Sequence, residues 1–348
     1  MTYFNYCLLF SGLLVVVTGG IIQSLIEGFV EKYFNSKNYN LTGLSEHKLE
    51  FVDGAEIGRS DTSIVWLGIY NDKTDVAVKM FWNNYSIDKE MVVYAALNAV
   101  DDHEIEDHKI PRIYYHGKLN GGCYAIAMSL FDGTLFDYYN DTPNGDLLNV
   151  DILYVLMQLV KGLQYLSTKN VVHNDIKPQN LFYRGRDAFI SDFNLATING
   201  AQNKGKTLLF ASANFFADKS RFAMDDLESL IYSLWYLAGV PLDPNHNHQL
   251  LFESLPEGYA LFENRKKGKT YAKSKLMEKC KHFKNDHVRG VFEYICDKEL
   301  LSDKTVPNYE AINHVLINAI RKMGNKEGAW FSDDIRSILL KLQNNNME

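Results

Sequence analysis

The amino-acid sequence predicts an α+β protein, with a small β-rich part first and a larger, mainly helical part after it. Residues 51–57, 63–70 and 74–81 are rich in β-branched and aromatic residues and are separated by turn residues, which is typical of consecutive strands. After about residue 130 the apolar residues recur mainly at helical spacing. Strands around one helix, followed by many helices, predict two subdomains with a cleft between them.

Each further element has its own sequence signal. A helix is expected over residues 88–100, where apolar residues fall on one face. Two more strands are expected at 113–117 and 123–130. The helices of the second part are expected to be amphipathic at 153–168, nearly all apolar at 225–237, and to continue at 292–296 and 311–323.

The composition is that of an ordinary folded protein, and it argues against some classes of function. The 348 residues are 46% hydrophobic and 23% charged, with a formal net charge of −7. A net acidic chain is not built for broad contact with phosphate backbones, so nucleic acid is not expected as a partner. The cysteines are Cys7, Cys123, Cys280 and Cys296, and their spacing favours buried free thiols over a disulfide framework or a metal site.

The amino-terminal segment is predicted to be an apolar leader over residues 1–22, followed by a linker over 23–47. Residues 3–22 carry no charge, and they end in small residues suited to cleavage. This pattern predicts a signal peptide or a membrane anchor, although the usual preceding basic residues are missing, and a buried helix is the alternative. A working signal would make the protein secreted or membrane-associated through residues 3–22, and otherwise it would be cytoplasmic or nuclear.

Two short motifs carry the predicted chemistry. Residues 173–180 read H-N-D-I-K-P-Q-N directly after the amphipathic helix, and residues 191–194 read S-D-F-N after a short predicted hairpin. An isolated H-x-D is usually no more than a capped turn, but the added residues and their spacing argue against that reading. The two motifs resemble the catalytic loop and the metal-binding motif of eukaryotic protein kinases, and Lys177 resembles the serine/threonine class.

The resemblance implies ATP and Mg²⁺ as cofactors, and it implies a role for each polar residue of the two motifs. Asp175 would accept the proton of the substrate hydroxyl, and Lys177 would face the γ-phosphate. Asn180 and Asp192 would supply oxygen ligands to Mg²⁺, which prefers such ligands.

Upstream segments resemble the nucleotide-binding part of the same fold. Residues 76–79 read V-A-V-K, in which Lys79 would contact the α- and β-phosphates. Glu90, on the predicted helix, would be the ion-pair partner of Lys79. The other residues implied around the nucleotide are Met128 at the gatekeeper position, Ser129 and Phe131 in the hinge, and Ile57, Gly58, Val65 and Ala77.

Three departures from the family pattern bear on activity. In the phosphate-covering loop only Gly58 remains of three glycines, and Ser60 and Ser63 stand where glycine would let backbone amides approach the phosphates. Asn174 replaces the arginine of H-R-D, which argues against activation by loop phosphorylation. Asn194 replaces the glycine of D-F-G, and asparagine tolerates left-handed backbone better than most residues.

The second half of the chain narrows the resemblance to one branch of the kinases. Residues 208–214, Arg221 and the D-D-L-E-S-L string at 225–230 resemble the end of the activation segment and the next buried helix in the casein kinase 1 group. That group includes the tau-tubulin and vaccinia-related kinases. The resemblance implies that Asp226 is a buried carboxylate that holds the backbone of the catalytic loop.

Together these features predict a bilobal protein-kinase domain over residues 48–342, with an N-lobe at 48–128 and a C-lobe at 132–342. The resemblance implies a monomeric casein kinase 1-like enzyme that transfers the γ-phosphate of ATP to serine or threonine of a protein substrate. A pseudokinase that acts as a nucleotide-binding, scaffolding or regulatory module is the alternative, because the glycine loop is weak and Asn174 and Asn194 are unusual. A small-molecule kinase is a third reading, which the activation-segment match disfavours.

Overall fold

The structure is a computed structural model in which the chain divides into two compact units. One unit contains Met1–Asn83 and His116–Ala127, and the other contains Asn84–Tyr115 and Met128–Glu348. The residues that the structure describes are 6–10, 13–17, 39–40, 48–60, 63–81, 84–100, 102–119, 123–141, 150–200, 209–216, 219–240 and 269–323.

The β-rich unit is built on a sheet with the strand order β3-β4-β5-β6-β8-β7. Strands β5 and β6 pair antiparallel without a register shift, whereas the pairing of β4 with β5 shifts on both sides of Glu56. Alternation places Ile64, Val76 and Val78 in the core. The strands are β3 (Tyr39–Asn40), β4 (Lys48–Arg59), β5 (Ser63–Tyr70), β6 (Thr74–Phe81), β7 (Ile113–Lys118) and β8 (Tyr124–Ser129).

The amino-terminal segment contains a short hairpin where a leader is predicted. Strand β1 (Tyr6–Phe10) pairs antiparallel with β2 (Leu13–Val17). The rest of the predicted leader, and all of the predicted linker except Tyr39 and Asn40, lie outside the described residues. Within the described part of the chain, no helix has the length and apolar character needed to cross a membrane.

The second unit is mainly helical and carries two small sheets. Strands β12, β11 and β9 form one sheet in that order, and β10 pairs with β13 in the other. The strands are β9 (Gly133–Thr134), β10 (Val171–Val172), β11 (Leu181–Arg184), β12 (Asp187–Ile190) and β13 (Thr197–Ile198). The helices are α1 (Asn84–Ala96), α2 (Leu135–Asp141), α3 (Val150–Thr168), α4 (Ala213–Phe216), α5 (Ala223–Leu237), α6 (Lys269–Cys280), α7 (Asp286–Tyr294) and α8 (Tyr309–Lys322), with a π-helix at Ile295–Leu300.

Helices α3 and α5 form the centre of the helical unit. Helix α3 packs against β12, α5 and α8. Helix α5 is almost wholly buried, including its large side chains Tyr232 and Trp235, which agrees with its nearly all-apolar sequence. The hydroxyl of Tyr165 on α3 donates to the carbonyl oxygen of Leu97 at 2.6 Å, which ties α3 to the turn after α1. The chain then leaves α3 through β10 directly into residues 173–180.

The α+β fold class is confirmed, and the differences from the predicted elements lie at their ends. Helix α1 begins at Asn84 rather than at residue 88, and the chain turns at residues 97–100, which were expected to be helical. Helix α3 begins at Val150 and α5 at Ala223, each slightly before its predicted start. The short helix expected at 292–296 is the junction of α7 with the π-helix.

A substitution at Gly200 is expected to destabilise the fold strongly. Its backbone has φ of 71°, and a Cβ atom built there would lie 2.6 Å from the carbonyl oxygen of Arg221. Gly185 also has positive φ, at 59°, but a Cβ atom there would meet nothing within 4 Å. Gly185→Ala should therefore lower the free energy of unfolding by about 1 kcal/mol, and Gly200→Ala by about 3 kcal/mol, in denaturant titrations. Equal losses would show that the contact with Arg221 is relieved by a small backbone shift.

Candidate active site

A buried carboxylate fixes the backbone of the 173–180 segment. Asp226, on the first turn of α5, is only 3% exposed. Its Oδ2 accepts the backbone N–H of His173 at 2.7 Å, and its Oδ1 accepts that of Asn174 at 2.9 Å. The sequence predicted this role for Asp226, and these bonds fix the chain immediately before Asp175.

Burial raises the pKa of Asp226 to about 7, although the two backbone N–H groups oppose this shift. The folded protein therefore binds a proton more tightly at this carboxylate than the unfolded chain does. Between the ordinary carboxylate pKa and about 7, stability contributed by Asp226 falls as the pH rises, and above 7 the loss is complete.

The variant Asp226→Asn isolates this pH dependence. The free energy of unfolding of the wild type, minus that of Asp226→Asn, should fall by up to about 1.4 kcal/mol per pH unit between pH 5 and 7. It should then level off above pH 7. Denaturant titrations of both proteins at pH 5, 6, 7 and 8 measure the difference, and parallel pH profiles would contradict the assignment.

His173 links the catalytic-loop segment to the second motif. Its ring is fully buried, and its Nε2 lies 3.0 Å from the carbonyl oxygen of Ser191. The backbone N–H of Asp175 donates to its Nδ1 at 3.3 Å. These contacts match a neutral imidazole with its proton on Nε2, and burial lowers the pKa of His173 in the same sense. The neutral imidazole therefore links the two motifs through hydrogen bonds to Ser191 and Asp175.

Asp175 is held by two neighbours from its own segment. The ammonium of Lys177 lies 2.7 Å from Asp175 Oδ2. The side-chain amide of Asn180 donates to the carbonyl oxygen of Asp175 at 2.9 Å and to Oδ2 at 3.0 Å. Asp175, Lys177 and Asn180, which the sequence singled out, are thus brought into direct contact.

The second motif is hydrogen-bonded to the first. The backbone N–H of Ser191 donates to the carbonyl oxygen of Asn180 at 3.1 Å, and Asp192 is the next residue after Ser191. Asp192 has left-handed backbone, with φ of 66°. The positive φ of this motif occurs at Asp192 and not at Asn194, so Asn194 does not need the tolerance of left-handed backbone expected for it. Instead, the Asn194 amide donates to Asp192 Oδ1 at 2.7 Å and so orients the carboxylate.

Phe193 packs into an aromatic cluster with Tyr94 and His173. Its ring centroid lies 5.2 Å from that of Tyr94 on α1, nearly edge-on, and 4.9 Å from that of His173. Glu90 lies one turn before Tyr94 on the same helix and is fully buried. This aromatic cluster fixes α1 against the second motif and therefore fixes where Glu90 lies within the helical unit.

The donor set of the two motifs fits a magnesium ion held jointly with phosphates. No group of three or more His, Cys, Asp or Glu side chains among the described residues could hold a metal by itself. The amide nitrogen of Asn180 is committed to Asp175, which leaves its oxygen as the available ligand. Asp192 adds a carboxylate, and Mg²⁺ in phosphoryl-transfer enzymes commonly uses one or two protein oxygens together with substrate phosphates.

The β-rich unit contains Lys79 and the earlier residues that are expected to contact the nucleotide, namely Ile57, Gly58, Val65 and Ala77. Lys79 is 7% exposed on β6 and pairs in register with Val65 on β5. Val65 in turn pairs with Gly58 on β4, and Ala77 lies on β6, two residues before Lys79. The ion pair between Lys79 and Glu90 stays a prediction, because the two residues belong to different units.

Ser60 and Ser63 of the predicted phosphate-covering loop bond to each other. The backbone N–H of Ser60 donates to the carbonyl oxygen of Ser63 at 2.8 Å, and the two hydroxyl oxygens are 2.9 Å apart. Ile57, earlier on β4, is 49% exposed. The turn is therefore closed by hydroxyl groups where the family pattern has glycines, an interaction that the sequence reasoning missed.

The predicted hinge residues are supported by a polar network that the sequence reasoning also missed. Met128 and Ser129 are buried, and the Ser129 N–H donates to the carbonyl oxygen of Arg112 at 3.0 Å. A nucleotide contact at Ser129 would therefore use its carbonyl oxygen. The Ser129 hydroxyl donates to Glu106, which also accepts from Arg184 at 2.6 Å. Burial alone would raise the pKa of Glu106, but the hydrogen bonds from Arg184 and Ser129 outweigh it and lower that pKa.

Phe131 is fixed by its aromatic neighbours. Its ring centroid lies 4.7 Å from that of Phe189 and 5.5 Å from that of Phe182. The guanidinium of Arg184, which also pairs with Glu106, lies 5.8 Å from the Phe131 ring centroid. The predicted hinge is thus anchored to the β11–β12 hairpin, which joins the two motifs.

The family model named protein kinase domain matches residues 51–238, which is more than half of the 348 residues. The chain belongs to the protein kinase family. The match includes Lys79, the 173–180 segment and Asp192.

Two curated kinases illustrate the similarity and its limits. The probable serine/threonine-protein kinase irlE of Dictyostelium discoideum is 24% identical over 179 residues, which cover 48% of this chain and 12% of the relative. The casein kinase 1-like protein HD16 of Oryza sativa subsp. japonica is 27% identical over 173 residues, which cover 44% of this chain and 23% of the relative. The kinase chain thus spans less than a quarter of either relative's length.

A solved structure of vaccinia related kinase 3 has the same fold. It superposes with a TM-score of 0.62 over 88% of this kinase and 98% of that chain, at 12% sequence identity. At this identity the structural neighbour shows the fold alone, and the casein kinase 1-like relative agrees with the resemblance to a divergent member of that group.

Two buried acids on α5 hold the backbone of the kinase at Ala213 and Phe222, after the predicted activation segment. Glu228 accepts the backbone N–H of Ala213 at 3.1 Å and the hydroxyl of Tyr232 at 2.6 Å. Asp225 accepts the backbone N–H of Phe222 at 2.8 Å, and burial raises its pKa. The D-D-L-E-S-L string therefore supplies three buried carboxylates, of which Asp226 holds the catalytic segment, while Glu228 and Asp225 hold the later chain at Ala213 and Phe222.

Proposed function

We propose that this kinase is an active serine/threonine protein kinase of the casein kinase 1-like type, which transfers the γ-phosphate of Mg-ATP to a protein hydroxyl. The observation that carries the proposal is the Asp175 carboxylate, which is held by Lys177 and Asn180, while the carbonyl oxygen of Asn180 accepts the N–H of Ser191, the residue before Asp192. Phosphoryl transfer needs positioned groups and charge neutralisation more than covalent chemistry, and these residues supply both.

Asp175 would orient the substrate hydroxyl and accept its proton as the oxygen attacks. Lys177 already lies against Asp175, and its ammonium would offset charge on the transferring phosphoryl group. Mg²⁺, when bound through Asn180 and Asp192, would neutralise phosphate charge. Lys79 and the remaining nucleotide residues would hold ATP, with Glu90 as the partner of Lys79.

The test is transfer of labelled γ-phosphate from Mg-ATP to casein and to the kinase itself, beside the metal-ligand variant Asp192→Ala. Label on phosphoserine or phosphothreonine that disappears in Asp192→Ala supports the proposal. Label on tyrosine would overturn the serine/threonine assignment. Two peptide sets, with acidic or with basic residues near the acceptor serine or threonine, test the casein kinase 1-like type. That type predicts faster transfer to the acidic peptides.

A pseudokinase is the second candidate, and one contact favours it. The Ser60–Ser63 pair closes the phosphate-covering turn with hydroxyl groups rather than glycines, which restricts the approach of backbone amides to phosphates. Thermal stabilisation by Mg-ATP without phosphate transfer to any substrate would support this candidate. Transfer that depends on Asp192 would exclude it.

The remaining features of the chain are also proposals. We propose a kinase domain over 48–342 that acts as a monomer, and membrane association or secretion through residues 3–22. Mass spectrometry of the mature amino terminus tests for a cleaved signal, because removal of residues 1–22 is expected only in that case. Light scattering of the purified protein tests whether it is a monomer.

A further inference from the structure

The side chain of Asn174 makes three contacts, which join its own segment to residues 195–197. Its amide nitrogen lies 3.1 Å from the carbonyl oxygen of Val172, 3.1 Å from that of Leu195 and 3.0 Å from the Thr197 hydroxyl oxygen. Val172 precedes the catalytic loop, whereas Leu195 and Thr197 follow the Asp192 motif. One neutral side chain therefore connects the segments on either side of the site.

The backbone around Asn174 is equally constrained. Its φ is 67°, in the left-handed region that asparagine tolerates and long side chains rarely adopt. Its N–H donates to Asp226, and Thr197 lies opposite Val172 in the β10–β13 pair. The residue before Asp175 is thus fixed by its main chain to α5 and by its side chain to β13.

We propose that Asn174 is a positioning residue that locks the catalytic loop to β13 and so holds Asp175 ready without a phosphate group on the activation segment. An arginine at this place is a cation, for which a phosphate is a strong bidentate partner. An asparagine amide is neutral, and its acceptors here are carbonyl and hydroxyl oxygens already present in the chain. The consequence for catalysis rests on the proposed kinase function, whereas the lock itself does not.

Three variants separate the lock from ordinary backbone effects. Asn174→Gly keeps the left-handed backbone accessible and removes the amide. Asn174→Asp keeps the shape of the side chain but replaces the donor by a carboxylate that faces two carbonyl oxygens. Thr197→Val removes one acceptor while keeping the branched shape of the side chain.

The lock predicts a fall in kcat without a matching change in KM. Asn174→Gly should lower kcat about 10-fold or more, with the KM for Mg-ATP changed less than about two-fold, because Asp175 is misplaced while the nucleotide contacts remain. Asn174→Asp should be slower still. Loss of backbone restraint alone would give the opposite order, with glycine the slower variant, and that result would overturn the proposal.

Coupling between the two partners tests the contact itself. Thr197→Val should lower kcat about three-fold, and adding it to Asn174→Gly should cause little further loss, because the donor is already absent. Additive losses in the double variant would count against a direct contact.

Phosphatase treatment tests independence from phosphorylation. The wild-type kinase, stripped of phosphate and checked by mass spectrometry, should keep its kcat within about two-fold of untreated protein. A loss of 10-fold or more on treatment would overturn the proposal.

Amide hydrogen exchange tests whether Asn174 locks the two segments together, even if no phosphate transfer is found. Amides of residues 195–200 and 171–176 should exchange about 10-fold faster in Asn174→Gly and to a lesser degree in Thr197→Val, since the bonds joining these segments are lost. Unchanged exchange in both variants would overturn the lock. Faster exchange together with an inactive wild type would sustain the lock and reject only the kinase function.

Discussion

Replacing Asp175 by asparagine is expected to lower kcat about 10³-fold while leaving the fold intact. The side chain keeps its size, so the segment between His173 and Asn180 can keep its path. The change removes the carboxylate that is proposed to accept the substrate proton, and it removes the charge that pairs with Lys177 at 2.7 Å. The Asn180 amide, which bonds to Oδ2 of Asp175, retains an acceptor only if the new amide turns its oxygen toward it.

The measurement is initial-rate kinetics with Mg-ATP and casein, together with thermal unfolding of both proteins. Asp286→Asn is the matched control, because the Asp286 side chain is 78% exposed on the first turn of α7 and pairs with Arg289 of the same helix. The control should keep kcat within about two-fold. Wild-type activity in Asp175→Asn would show that another group accepts the proton and that the site has been assigned wrongly.

The catalytic segment could be predicted from the sequence because its contacts are local. Asp175, Lys177 and Asn180 lie within six residues, so a short motif fixes both their chemistry and their mutual distances. Asp226 is 52 and 53 residues away from its partners, and only the D-D-L-E-S-L string made it recognisable. The spacing within one short motif thus predicted the polar groups of the segment, and the D-D-L-E-S-L string predicted the carboxylate that holds its backbone.

The interactions that escaped prediction are those in which ordinary polar residues meet through the fold. Glu106 bonds to Ser129, which is 23 residues away, and to Arg184, which is 78 residues away. Ser129 was singled out only as a hinge residue, Glu106 and Arg184 stand in no motif, and a charged residue in a polar loop is usually solvated. The Asn174 lock escaped for the same reason, since its partners Leu195 and Thr197 become neighbours only when β10 pairs with β13.

The ends of the helices were displaced because apolar periodicity starts later than the helix does. Residues 84–87 read N-Y-S-I, and the recurring apolar face of α1 is clear only beyond them. Periodicity reports which residues face a core, whereas the helix begins where backbone hydrogen bonds begin. The predicted end failed for a related reason, because Leu97 and Ala99 are buried yet belong to a turn.

Replacing Lys79 by methionine is expected to lower kcat/KM for Mg-ATP about 10²- to 10³-fold, the usual effect of removing one preorganised group that stabilises charge. Methionine can fill much of the space of the lysine stem, which is 7% exposed on β6 beside the ring of Phe81, so packing of the β-rich unit should survive. The change removes only the ammonium that is proposed to meet the α- and β-phosphates.

Lys73→Met is the control for this prediction, because Lys73 is exposed in the turn that joins β5 to β6 on the same hairpin. It loses the same charge from the same chain without approaching the proposed nucleotide site, and its kcat/KM should stay within about two-fold of wild type. Binding of a fluorescent ATP analogue should weaken in Lys79→Met and not in Lys73→Met. If both variants bind and transfer equally well, the phosphate contact belongs to another cation; if Lys79→Met alone fails, the V-A-V-K strand has the role that its sequence predicts.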